Sequence, residues 1–128
     1  MMMERNNSPE DYLESILALN KKNGYARSVD IAKELGVSKP SVCNAMKRLR
    51  YKEMISIGDK GHIILTDTGR TVAESVYRKR ALLTKILKEI GVKDEVASEE
   101  ASGIGHVISD DTYECLNAFF RAHLITAD

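Results

Sequence analysis

The segment 38–50 carries side chains that suit hydrogen bonding to a nucleic acid. Its apolar residues recur at helical spacing, as Val42, Ala45, Met46 and Leu49, which predicts an α-helix with one buried stripe. The opposite face is polar and basic and presents Ser38, Lys39, Pro40, Ser41, Asn44, Lys47 and Arg48. A helix with such a face fits the major groove of double-stranded DNA.

The residue types on this face predict different contacts. Asn44 can form paired hydrogen bonds with an adenine edge, Ser41 can contact a base or a phosphate, and Pro40 can touch a thymine methyl group. Phosphate contacts are expected from the basic side chains Arg27, Lys39, Lys47, Arg48 and Arg50. Lys60, further along the chain, is expected to meet the DNA backbone or the minor groove.

Three helices are predicted to position these residues. The first begins at Ser8 and Pro9 and ends at Gly24. The second runs from Val29 to Leu35, with Ser28 as its predicted N-cap and Gly36 at its C-terminal end. Ser38 is predicted to cap the third. A tight turn at a small residue such as Gly36 lets two helices cross steeply, as in a helix-turn-helix.

After residue 53 the pattern changes from helix to hairpin. Two short strands, 54–57 and 62–65, flank the turn residues Gly58-Asp59-Lys60-Gly61. A long helix with Thr66 or Thr68 as its cap follows, from about Gly69 to Glu89, and two more helices are predicted at about 95–108 and 110–124. The expected fold is mainly α, with a winged helix-turn-helix over residues 1–68 and a helical dimerisation domain over residues 69–128.

Charge is distributed unevenly, although the chain has no formal net charge. Residues 20–65 contain ten basic and four acidic residues, a net +6, and the remainder carries −6. This asymmetry favours a polyanion as partner of the first half, the alternative being chance clustering of solvated charges.

Several other classes of protein are disfavoured by the sequence. The chain shows no phosphate-binding glycine loop and no paired nucleophile and base, so we do not expect an enzyme. No apolar run is long enough to cross a bilayer, no signal peptide is apparent, and the two distant cysteines fit a reduced cytoplasm. A winged helix that binds another protein instead of DNA is the main alternative, and a steep salt dependence of duplex binding would separate the two.

Short segments spread along the chain resemble the diphtheria-toxin-repressor family, in particular its manganese-transport-regulator branch. They are Asp11-Tyr12-Leu13-Glu14-Ser15-Ile16, Gly24-Tyr25-Ala26-Arg27, Val37-Ser38-Lys39-Pro40-Ser41-Val42, Leu65-Thr66-Asp67-Thr68-Gly69 and Gly103-Ile104-Gly105-His106-Val107-Ile108-Ser109. The resemblance implies a cytoplasmic homodimer that binds a palindromic operator and represses genes for metal uptake. It also implies a divalent metal between the two domains that sets the DNA-binding geometry.

The ligand set implied by the resemblance is incomplete in this chain. Asp11, Glu14 and His106 stand at ligand positions, but Arg80, Ser102 and Gly105 occupy the other three. At these three the resemblance implies a His, a Glu (a Cys in the iron branch) and a Glu. Arginine has no lone pair to offer a metal, and glycine has no side chain. The remaining two carboxylates and one imidazole leave two possibilities: weak binding of Mn²⁺ or Fe²⁺, or no metal at all. For His106, the alternative is a hydrogen-bonded structural role.

Arg80 suggests a replacement for the metal. Its guanidinium can bridge Asp11 and Glu14 and so supply the positive charge that the metal would bring. The alternative is that Arg80 points to solvent and the site has decayed. His62 and His123 are both expected on the surface.

The second half of the chain is rich in apolar residues for its length. They are Val72, Val76, Leu82, Leu83, Ile86, Leu87, Ile90, Ile104, Val107, Ile108, Leu116, Phe119 and Phe120. About 60 residues cannot cover so much apolar surface alone, so burial against a second copy is expected, the alternative being a monomer with one packed core.

Overall fold

A computed structural model describes residues 8–124 of the chain. In that range it contains six α-helices and a two-stranded antiparallel sheet. In chain order these are α1 (Pro9–Asn23), α2 (Ser28–Leu35), α3 (Lys39–Tyr51), β1 (Ile55–Ile57), β2 (Ile63–Leu65), α4 (Asp67–Glu89), α5 (Asp94–Gly105) and α6 (Asp110–Leu124). The predicted fold class is confirmed, with the element order helix, helix, helix, hairpin and three further helices.

The chain forms two compact units, which meet in sequence between Ser75 and Val76. The domain boundary predicted at residue 68 stays a prediction. The extreme ends of the two predicted domains, 1–7 and 125–128, lie outside the described residues.

The first unit has a core formed by all of its regular elements. α1 contributes Leu13, Ile16 and Leu17, α2 contributes Ile31, and the hairpin contributes Ile55, Ile63 and Leu65. The predicted stripe of α3, Val42, Ala45, Met46 and Leu49, is buried throughout. Burial of side chains of this size contributes roughly 1.5–3 kcal/mol each, so this core fixes the orientation of α3.

In the first unit, the predicted caps of α1 and α3 are confirmed and that of α2 is not. Ser8 and Ser38 accept hydrogen bonds from the backbone N–H of Asp11 (3.3 Å) and Ser41 (3.2 Å), and Gly24 and Gly36 end α1 and α2 with positive φ. The predicted cap of α2 at Ser28 is wrong, because Ser28 is already helical and Arg27 holds the cap position. The Asp30 carboxylate accepts a hydrogen bond from the Arg27 N–H (3.2 Å), which moves the helix start back by one residue.

The hairpin is a short wing. β1 and β2 pair in the register Ile55 with Leu65, Ser56 with Ile64 and Ile57 with Ile63. Lys60 lies in the connecting turn with a φ of 61°. The Ile63 N–H donates to the Ala26 carbonyl (2.8 Å), so the segment before α2 pairs with the wing.

The junction between the wing and α4 depends on a close backbone approach. Thr66 caps α4 by accepting a hydrogen bond from the Gly69 N–H (3.1 Å), and its own N–H donates to the Met54 carbonyl (3.0 Å). A Cβ atom at Gly69 would overlap the Met54 carbonyl oxygen. The earlier of the two predicted caps is therefore the one used, and a glycine is needed at this position.

In the second unit, the C-terminal part of α4 lies beside the end of α5 and the start of α6. Lys79 reaches the start of α6, donating to the Ile108 carbonyl (3.2 Å) and pairing with the Asp110 carboxylate (3.1 Å). α5 ends at Gly105, three residues before its predicted end. Leu82 and Leu83 are buried, whereas Ile90, Val107 and Phe119 are 71%, 82% and 61% exposed. Part of the predicted apolar face is thus covered within the chain and part is not.

Candidate nucleic-acid interface

The outer face of α3 is polar, basic and open to solvent. Its exposed side chains include six of the predicted DNA contacts: Lys39, Pro40, Ser41, Asn44, Lys47 and Arg48. The buried stripe on the opposite side holds the helix so that this face cannot rotate inward. Such a surface can enter a groove of DNA and exchange water for base edges and phosphates.

The N-terminal end of α3 is ordered by two hydroxyl groups. Ser38 donates a hydrogen bond to the Ser41 Oγ (2.9 Å) while it accepts one from the Ser41 backbone. Both serines are exposed. The two serines therefore stabilise the N-terminal end of α3, and their role in DNA contact stays a prediction.

Arg27 and Lys60 lie on elements that flank α3, and both are exposed. The Arg27 guanidinium lies 5.3 Å from the centre of the Tyr25 ring, and Tyr25 stacks on His62 with 4.9 Å between ring centres. These contacts connect the segment before α2 to the turn end of the wing and restrict where the Arg27 charge can lie.

The sequence did not reveal this stack. His62 is partly exposed, in line with its predicted surface position, but its ring is covered on one side by Tyr25; His123 is exposed as predicted. The only sequence signal was a tyrosine two residues before an arginine, with a histidine in the hairpin. None of this indicates proximity without knowledge of the pairing between Ala26 and Ile63.

The predicted metal positions divide between the two units. In the first, Asp11 and Glu14 on α1 are both buried, with 9% and 8% exposure. The Asp11 carboxylate accepts a hydrogen bond from the Ser8 N–H (2.9 Å), which completes a capping box at the start of α1. Asp11 thus has a structural function that is independent of any metal.

In the second unit, two of the substituted positions adjoin each other. A Cβ atom at Gly105 would lie 3.8 Å from the Arg80 backbone nitrogen and 3.6 Å from the Lys79 Cβ, in ordinary contact. Ser102, one turn earlier on α5, is buried, and His106 caps the C-terminal end of the helix. Positions 80 and 105 are therefore neighbours, as expected for two members of one ligand set.

The residues present do not fit a complete transition-metal site. Within residues 8–124, no group of three or more His, Cys, Asp or Glu side chains is arranged to hold a metal ion. At the six positions implied by the sequence resemblance, three side chains are arginine, serine and glycine. These offer at most one weak donor, the hydroxyl of Ser102.

The helix-turn-helix, its wing and the exposed face of α3 define a DNA-binding transcriptional regulator of the winged-helix class. Two family models match almost the whole chain: the iron-dependent repressor N-terminal DNA-binding domain over residues 5–63, and the iron-dependent repressor metal-binding and dimerisation domain over residues 66–123. The chain belongs to the iron-dependent repressor family.

Individual relatives agree with this family. The transcriptional regulator MntR of Escherichia coli O6:H1 is 32% identical over 114 residues, which cover 89% of this chain and 74% of that protein. The HTH-type transcriptional regulator MntR of Geobacillus kaustophilus is 34% identical over 102 residues, covering 80% and 72% of the two chains.

Solved structures give the same result. The manganese regulator SloR matches with a TM-score of 0.81 and 27% identity, and IdeR of T. acidophilum matches with 0.78 and 30%. Each match covers 91% of this chain, which spans 55% of the length of either structure. The two relatives are named as transcriptional regulators and SloR as a manganese regulator, and these names do not favour a winged helix devoted to protein contacts.

The described part of the chain also has no helix that is both long enough and apolar enough to cross a membrane.

Proposed function

We propose that this protein represses transcription as a homodimer bound to a palindromic operator, in the cytoplasm. The observation that carries the proposal is the exposed polar and basic face of α3, backed by a fully buried stripe. The exposed apolar side chains of Ile90, Val107 and Phe119 support the dimer, because a second copy would remove them from water.

The test combines solution mass with a footprint on DNA. A duplex selected by the protein from a random pool should be protected as two half-sites about one helical turn apart, by a particle with the mass of two chains. Binding should weaken steeply with added salt, because phosphate contacts release counterions. A monomer that protects one unsymmetrical site would contradict the dimer, and salt-insensitive binding would contradict the interface on α3.

We further propose that DNA binding by this protein does not require a metal, because Arg80 supplies the missing positive charge. The support is chemical. Asp11 and Glu14 are buried carboxylates, and a buried carboxylate is costly unless a cation or hydrogen bonds compensate it. Arg80 occupies a position where the family has a metal-ligating histidine, and a guanidinium can bind two carboxylates at once.

The Arg80 proposal is tested by substitution in the presence of a chelator. Arg80→Ala should weaken operator binding at least about tenfold, because the buried carboxylates lose their counter-charge. Arg78→Ala is the matched control: Arg78 is an exposed arginine on the same helix, and its loss should leave operator affinity within about twofold. Equal affinities of the Arg80→Ala variant and the wild type would refute the proposal.

A further inference from the structure

Tyr51, the last residue of α3, is an aromatic side chain without a place in the core. It is 90% exposed, more than any other large apolar or aromatic side chain in the described part of the chain. Tyrosine normally buries most of its ring, because the ring is largely apolar. An almost fully exposed tyrosine next to a ligand-binding face is therefore a candidate contact residue.

Helical periodicity places Tyr51 on the same line as the predicted DNA contacts. Counting from Pro40, Asn44 follows after four residues, Lys47 after three more, and Tyr51 after another four. Residues at this spacing lie above one another on one face of a helix. All of them are exposed, and the buried stripe occupies the opposite side.

The length of α3 indicates which part of the DNA Tyr51 would meet. Eleven residues separate it from Pro40, which corresponds to about 16 Å along the helix axis. The major groove is only about 12 Å wide. If the N-terminal part of α3 lies over base edges, the C-terminal end reaches the sugar–phosphate wall of the groove.

We propose that Tyr51 binds the sugar–phosphate backbone at the edge of the major groove. The phenol donates a hydrogen bond to a phosphate oxygen, and the ring packs against a deoxyribose. The exposed basic residues Arg48, Arg50 and Lys52 surround it in sequence and draw the phosphate to this end of the helix. The inference rests on the DNA-binding function and adds a neutral anchor to its basic contacts.

A salt titration separates this neutral contact from an ionic one. The Tyr51→Ala variant should bind a duplex selected by the wild-type protein about tenfold more weakly. The Tyr51→Phe variant should show a smaller loss of affinity, because only the hydroxyl group is removed. Both should keep the wild-type slope of log affinity against log salt, since no counterion release is lost. Lys47→Ala should lower both the affinity and the slope, by about one unit for each phosphate contact.

Two controls keep the result interpretable. Tyr77→Ala removes an exposed tyrosine of the second unit, 44% exposed on α4, and should leave affinity unchanged. The melting temperature of Tyr51→Ala should equal that of the wild type, because the side chain is outside the core. Wild-type affinity of Tyr51→Ala, a slope lowered as in Lys47→Ala, or an equal loss in Tyr77→Ala would each overturn the inference. A wild-type protein that selects no duplex would instead refute the DNA-binding function itself.

Discussion

The side chains on the outer face of α3 are predicted to divide into those that read bases and those that contact the DNA backbone, and single substitutions would separate the two roles. Asn44 has the side chain that recognises adenine, and it lies exposed in the middle of the face. Asn44→Ala should lose about 1–3 kcal/mol of preference for the selected duplex over a random one, while affinity for random duplex stays nearly constant. Competition binding measures the ratio of the affinities for the selected and the random duplex. An unchanged ratio would show that Asn44 reads no base.

Gly69 fixes the junction of the wing and α4. Gly69→Ala should destabilise the first unit by several kcal/mol, because the added methyl group overlaps the Met54 carbonyl and the backbone must shift. Gly103→Ala is the matched control, since a Cβ atom there has nothing within 4 Å and alanine favours a helix by about 0.5–1 kcal/mol. Denaturant unfolding measures both, and similar stabilities of the two variants would contradict the close approach.

For individual residues, the sequence predicted which side chains of α3 face solvent, but it did not predict every candidate contact residue. The ten predicted DNA contacts are all exposed. For those on α3, charge and periodicity suffice to assign a helix face. Tyr51 was not predicted, since a tyrosine at a helix end fits a core as well as a surface. The stack of Tyr25 on His62 depends on the pairing of distant segments, which no local pattern encodes.

Among the elements, α3 begins at a serine cap whose contribution can be measured. Ser38→Ala should cost about 0.5–2 kcal/mol of stability, because the Ser41 N–H loses its acceptor. Ser28→Ala provides the control, since Ser28 is the first residue within α2 and Arg27 holds the cap position. Thermal unfolding should therefore separate the two serines; a larger loss for Ser28→Ala would reinstate the cap predicted from sequence.

Most element boundaries could be predicted because caps and glycines are local signals. α6 has its predicted limits, and the wing strands are each one residue shorter than predicted. The start of α2 was misplaced because the Asp30 side chain reaches back to the Arg27 N–H, so an arginine takes the cap position that a serine usually fills. The end of α5 was placed too late because Ile104, Val107 and Ile108 continue the helical spacing beyond Gly105, where the helix ends.

For the whole molecule, we expect that restoring the three substituted positions of the implied ligand set would restore metal binding. A variant with Arg80→His, Ser102→Glu and Gly105→Glu has the ligand types that the family resemblance implies. The geometry at Gly105 accepts a Cβ atom in ordinary contact. We expect this variant to bind Mn²⁺ by calorimetry under conditions where the wild type binds far more weakly, because it offers a full set of carboxylate and imidazole ligands.

The matched control is the double variant Ser102→Glu and Gly105→Glu, which keeps Arg80 and should not reach the affinity of the triple variant. Equal Mn²⁺ affinities of the wild type and the triple variant would show that these positions do not form the site. Residues 66–123 match the metal-binding and dimerisation model of the family, although three positions of the implied ligand set are substituted. The result therefore shows how far metal binding in this chain has diverged from that of the family.

Whether this regulator binds DNA in a form that does not need a metal is tested most directly by one measurement. The affinity of the wild-type dimer for its selected duplex is determined in a chelator and again with excess Mn²⁺ or Fe²⁺, at one fixed salt concentration. We expect the two affinities to agree within about threefold, because we propose that Arg80 supplies the charge that a metal would bring. A gain of a hundredfold or more on adding metal would contradict it.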